Sequence, residues 1–257
     1  MAQEEKKNAL AAAPPSTALS AEMLGMLAQD ANAGLENVRP EDVVIPFMGI
    51  LQKNSPQVDE VAGSYVEGAK VGQFFESGTL SVYDEIDVIP CDYKSLMVEW
   101  HPRETGGGFV AQHELGYEKQ FQRNDRGQWV TDAGTLLIQT MYFSCLLLLP
   151  TGDTMPVVFS FTSSQLKKAR TWVTRLTTKK IVDQKTGKKF TPPIYESIWH
   201  MSSVPEENDK GNWRGYKIDV VKQVDTVELF QAARKARAMF QSTAVIRPAE
   251  NNPGGEN

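Results

Sequence analysis

The chain has 257 residues, 41% of them hydrophobic and 23% charged, with a formal net charge of −5. That composition belongs to an ordinary globular protein with a substantial core and excludes wholesale disorder. The longest apolar run, Leu136 to Leu149, has fourteen residues and includes Gln139, Thr140 and Ser144, so it is too short and too polar for a membrane-spanning helix.

The start, MAQEEKKNAL, is followed by no secretory apolar region. Residues 1–40 read as a flexible appendage rich in Ala, Pro and Ser, with one short helix expected from Ser20 to Ala31. Ser20 is its N-cap, and Met23, Leu24, Leu27 and Ala31 form its apolar face. From Val43 to Leu51 the chain reads as extended, because Pro46 disfavours helix at Ile45. Thr79–Tyr83 and Ile86–Pro90 are expected as two short strands around Asp84-Glu85, with Tyr93–Trp100 as a third.

Trp100 to Phe109 carries Gly106-Gly107-Gly108 and reads as a flexible loop between strands. It lacks the strand-to-helix setting and the Gly-Lys-Ser/Thr ending of a phosphate-binding loop. Asn124 to Gly127 makes a hairpin turn. The apolar run itself is the first strand of a central hairpin, with Leu137, Met141, Phe143, Cys145 and Leu147 on one face. Thr140, Tyr142 and Ser144 on the other face suggest burial of one side only in the middle of the strand. Val157, Phe159 and Phe161 alternate along the return strand, a barrel or sandwich signature.

A helix should follow, with Thr162 and Gln165 at capping-box spacing. Leu166, Ala169, Trp172, Val173 and Leu176 share one arc, Lys167, Lys168 and Arg175 the opposite one, and Trp172 falls at the border. Two further strands, Ile194–Ser202 and Arg214–Val221, are joined by a polar loop, Glu206 to Asn212. A last helix runs from Thr226 to Phe240, and residues 242–257 read as a disordered tail. The main domain is thus 41–241.

Charge is strongly segregated along the chain. Between Lys167 and Lys189 stand nine Lys or Arg residues and one acid, Asp183, a local +8 inside an acidic protein. Catalytic patterns are missing by comparison. The histidines His101, His113 and His200 are isolated, and Cys91 and Cys145 read as buried reduced thiols without zinc spacing. Asp84, Glu85 and Asp87 crowd together, but the Glu-x-Lys that a metal-dependent nuclease would add on the next strand is absent. The expectation is a non-enzymatic protein without metal or cofactor.

Basic side chains joined to aromatics on β-structure are the means of gripping single-stranded nucleic acid. Cations neutralise phosphates, and aromatic rings stack bases without regard to sequence. The phosphate candidates are Lys167, Lys168, Arg170, Arg175, Lys179, Lys180, Lys188 and Lys189. The stacking candidates are Trp172, Tyr195, Trp199, Trp213 and Tyr216, with Trp100 as an outlier.

The phrases Gly34-Leu35-Glu36-Asn37-Val38, Ile45-Pro46-Phe47, Ile50-Leu51-Gln52 with Ser55-Pro56, and Glu67-Gly68-Ala69-Lys70-Val71-Gly72 follow one another. Val88-Ile89-Pro90-Cys91 and Glu99-Trp100-His101-Pro102-Arg103 complete the series. Together, over residues 33–240, they resemble a widespread family of tailed-bacteriophage proteins, some of which are labelled single-stranded DNA-binding proteins. The resemblance implies a mainly β (α+β) protein: an OB-like small β-barrel with a basic helix after the central hairpin. It implies sequence-independent binding of single-stranded DNA in phage replication or recombination, in the host cytoplasm and away from membranes. Phage replication proteins are its implied partners, with scope for a homo-oligomer. The chain ends in Gly-Gly-Glu-Asn, without the acidic tail and terminal aromatic of the better-known phage single-strand-binding proteins. A virion-associated structural protein and a strand-annealing recombinase are the rival readings.

Overall fold

The computed structural model describes residues 19–39, 44–209 and 211–242, which fall into two units, Met1–Asp42 and Val43–Asn257. In the first unit, α1 (Ala21–Gln29) begins as expected, with the Ser20 hydroxyl accepting from the Met23 amide at 3.1 Å. Its apolar residues Met23, Leu24 and Leu27 are all exposed. The expected disordered tail lies outside the described residues.

The second unit is mainly β. Its strands are β1 (Phe47–Ile50), β2 (Phe74–Glu76), β3 (Val82–Tyr83), β4 (Glu85–Trp100), β5 (Phe109–His113), β6 (Gln122–Arg123) and β7 (Trp129–Val130). The chain continues through β8 (Leu136–Leu148), β9 (Thr154–Phe161), α2 (Leu166–Thr178), β10 (Ile181–Val182) and β11 (Lys189–Phe190). It closes with β12 (Ser197–Asn208), β13 (Gly211–Gln223) and α3 (Val227–Ser242). Eleven strands form one sheet, with the main path β13-β12-β4-β8-β9-β1-β2-β3. The β10–β11 hairpin stands apart as a small sheet of its own. Within the large sheet, β1 and β9 pair in parallel.

That sheet curls into a half-barrel. Phe74 of β2 and Tyr216 of β13 come from opposite ends of the strand order, yet their rings lie 6.1 Å apart. Phe143, Phe159, Phe161, Met201 and Tyr216 line the inside of the curl, and α2 plugs it with Ala169, Trp172 and Leu176. The opposite face carries a second core, where Ala233, Ala236 and Phe240 of α3 cover Ile89, Cys91, Leu146 and Ile198. Apolar burial at roughly 25 cal/mol per Å² makes these two helix–sheet layers the main source of stability.

Several expectations are corrected by this architecture. β4 is one continuous strand where the sequence reads as two, Ile86–Pro90 and Tyr93–Trp100. Pro90 has no amide to give to the ladder, and the sheet absorbs it in a bulge between Pro90 and Asp92 that leaves Cys91 unpaired. β8 is buried on both sides, because Thr140, Tyr142 and Ser144 are as covered as Phe143. Tyr142 packs with Val98, Trp100 and Val158 in a third small core. The capping box does not form: Thr162 makes no side-chain cap, and a single 3₁₀ turn (Ser163–Gln165) precedes α2. The polar loop between the last two strands is largely strand, since β12 and β13 stay paired from Ser197↔Gln223 to Asn208↔Gly211. Both cysteines are free and buried, and burial pushes the Cys91 thiol up to about 12.

Candidate nucleic-acid interface

α2 is amphipathic in the sense its sequence dictates, but its basic residues divide into two sets with different work. The first set holds the fold together. β13 is an edge strand, and alternate residues along an edge carry N–H and C=O groups that no neighbouring strand satisfies. Side chains satisfy them here. The Gln52 amide accepts from the Arg214 N–H at 2.8 Å and donates to the Arg214 carbonyl at 2.9 Å. The Gln165 side chain accepts from the Tyr216 N–H at 3.1 Å, and Lys168 Nζ donates to the Tyr216 carbonyl at 3.0 Å. Arg175 donates to the Ile218 carbonyl at 2.6 Å while lying over the Trp199 ring, 4.7 Å from its centroid. Lys179 donates to the Glu196 carboxylate at 2.7 and 2.9 Å and to Ser197 Oγ at 2.8 Å. Lys168, Arg175 and Lys179 are therefore occupied with the fold.

The second set faces solvent: Lys167, Arg170, Lys180, Lys185, Lys188 and Lys189 are all exposed. Arg170 donates to Gln139 Oε1 at 3.0 Å and Lys180 donates to Thr191 Oγ1, both neutral partners that leave the positive charge uncompensated. Lys167 and Arg170 stand at the start of α2, Lys180 just before β10, Lys185 and Lys188 in the turn of the β10–β11 hairpin and Lys189 on β11. The one acid in the segment, Asp183, is turned inward to its own turn, where it accepts from the Lys185 amide and the Thr186 hydroxyl, both at 2.8 Å.

The aromatic candidates fare differently. Trp172 is 1% exposed, stacked on Phe143 at 4.1 Å and edge-on to Trp199 at 5.8 Å. It does not sit at the border of the basic face, because the curled sheet closes over it, and its Nε1, like that of Trp199, has no hydrogen-bond partner. Trp199 and Tyr216 are likewise core residues. Tyr195 is half-buried against Phe230 of α3, with ring centroids 5.2 Å apart. Trp213 alone of the five combines partial exposure with a place on a surface cleft.

Glu206 organises that corner and was not singled out by the sequence. Its carboxylate accepts from Trp213 Nε1 at 2.9 Å and from Gln165 Nε2 at 3.1 Å, and it pairs with Lys168. Gly215 lies beneath it, where any Cβ would collide with the carboxylate. Gln52 and Gln165 were also missed as edge caps. A glutamine gives no local signal when its partner, such as Arg214, is 162 residues away.

The same contacts set an acid limit on stability. Burial pushes the Glu206 carboxyl up, but hydrogen bonds from Lys168, Gln165 and Trp213 and the Lys168 charge outweigh it and hold the group below the ordinary 4.5. Burial likewise works upward on Glu196 and Glu99. Lys179 and Ser197 overcome it at Glu196, and Thr135 and His113 overcome it at Glu99, so both end lowered. A lowered folded value means that the unfolded chain binds more protons, so stability rises with pH through this range. The contribution of these carboxylates is complete above 4.5 and is lost as pH falls through their lower folded values. Urea midpoints should be flat near neutrality and drop below about pH 4.5, less steeply in Glu206→Gln. A midpoint unchanged down to about pH 3 would contradict this.

Among the described residues no group of three or more His, Cys, Asp or Glu side chains could hold a metal ion. Asp84 accepts from Gln73, and Asp87 faces His200 Nδ1 at 2.8 Å. Among the described residues no helix is long and apolar enough to cross a membrane. Fold and surface together define a mainly β protein with exposed cations on α2 and on the hairpin that follows it.

The chain belongs to a bacteriophage family: the model described as Pam3 phage gp34-like protein matches residues 14–246. No curated protein and no solved structure matches the chain.

Proposed function

We propose that this phage protein binds single-stranded DNA without sequence preference, as a non-enzymatic factor of replication or recombination in the host cytoplasm. The observation that carries the reading is the set of six exposed cations within residues 167–189, two at the start of α2 and four between its end and β11, in a chain of net charge −5. A general affinity for anions would need no such concentration of charge. α2 has 13 residues and so extends about 20 Å, which separates the exposed pair Lys167 and Arg170 at its start from Lys180 just beyond its end by the length of several phosphates of one strand. Half-barrel curvature, with the basic helix following the central hairpin, is the basis for an OB-like relationship within this proposal. Filter binding of oligo-dT at two salt concentrations tests it. Tight binding at low salt that weakens steeply on raising salt is the expected result, and absence of binding at low salt ends the reading.

A further inference from the structure

The curl of the sheet leaves a cleft of about 600 Å³ where β13 comes round to the segment after β1. Gln52, Lys53, Val71, Trp213 and Arg214 are among its walls. That volume falls within the range of small-ligand sites, roughly 300–1,000 Å³. From its chemistry we infer that it is a subsite for one nucleotide of a bound single strand, with the base stacked on Trp213 and the phosphate held by Lys53 and Arg214. The inference rests on the proposed function and assigns it a second element beyond the basic helix.

Four features support this occupant. First, the Trp213 indole is half-buried and anchored through Nε1 to Glu206, so its plane is held before any ligand arrives. A preset ring loses little conformational entropy on stacking a base. Second, the anchor is itself fixed by Lys168 and Gln165, which ties the cleft to the start of α2 and so to Lys167 and Arg170. Third, Lys53 is exposed, and neither Lys53 nor Arg214 pairs with a carboxylate among the described residues. The Arg214 side chain lies across Gly72, whose φ of +96° and missing Cβ leave it room. Fourth, Glu206 is neutralised by Lys168, so Glu207 is the only uncompensated acid among the described residues of the lining.

Aromatic face plus two cations in a cleft of this size match a base and its phosphate. The subsite also accounts for Trp213 being the one tryptophan of the basic corner that the core does not absorb.

The test uses the full chain and two labelled oligodeoxynucleotides of equal length, oligo-dT and an abasic strand with the same phosphates. In Trp213→Leu, oligo-dT binding should weaken by about 5- to 150-fold, the equivalent of one lost stack, while abasic binding changes by less than about twofold. Trp213→Phe, which keeps a ring and loses only the anchor, should fall between wild type and Trp213→Leu. Photo-crosslinking of wild type to a 5-iododeoxyuridine strand should place the adduct on Trp213, a readout that does not depend on how the variants fold. Equal losses for both strands, no loss at all, or adducts confined to other residues would overturn the subsite and leave the wider reading intact. If wild type binds neither strand at low salt, the subsite and the function fall together.

Discussion

Replacing Lys185, Lys188 and Lys189 together with alanine is expected to make oligo-dT binding markedly less salt-dependent. Each phosphate contact on a single strand contributes about 0.7 to the slope of log K against log salt, so three lost contacts should flatten that slope by roughly 2. The side chains of all three lysines are exposed and unpaired among the described residues, so their removal should leave the urea midpoint nearly unchanged. Lys168→Ala makes the informative contrast. It strands the Glu206 carboxylate and the Tyr216 carbonyl at the sheet edge, so it should lower stability. A slope that ignores the hairpin lysines would show that the local +8 is only a solvated surface.

The second large effect concerns Trp172. Its ring fills the centre of the half-barrel against Phe143, Phe161 and Trp199, and truncation to alanine should cost about 3–5 kcal/mol of unfolding free energy. Urea titration measures that loss directly. Affinity for oligo-dT per folded molecule should stay at the wild-type value, because a ring that is 1% exposed cannot stack on a base. A fall in affinity without a fall in stability would return Trp172 to the interface.

The two tryptophans 41 positions apart therefore divide the work that their composition would assign to both. Trp172 is on the basic helix but serves the core, and Trp213 is on an edge strand but faces the cleft. Exposure separates them, and exposure is a property of how the sheet closes.

Much of the secondary structure was legible in the sequence. The helix at Ser20, the central hairpin, the amphipathic basic helix and the last helix are all visible as periodicity, and the turn at Asn124–Gly127 as composition. These features depend on neighbours a few residues apart. Elsewhere a distant partner decides. Pro90 reads in sequence as a strand end, but β8 holds the ladder on both sides of it and a bulge at Cys91 absorbs the missing amide. Tyr142 and Ser144 read in sequence as an open face, which Val98, Trp100, Val158 and α3 help to cover.

By itself, the sequence determined a mainly β protein that concentrates its positive charge in one helix and the hairpin after it. Charge and periodicity are local quantities, and folding does not move them along the chain. Only the tertiary structure decided which of those charges remain available. Curling brings the edge of β13 against α2 and Gln52, and unsatisfied backbone groups there claim Lys168 and Arg175 because a buried, unpaired carbonyl costs more than an exposed cation gains. What remains for an external anion is Lys167, Arg170, Lys180 and the three hairpin lysines, and, apart from them, the cleft where Trp213 is held ready by Glu206.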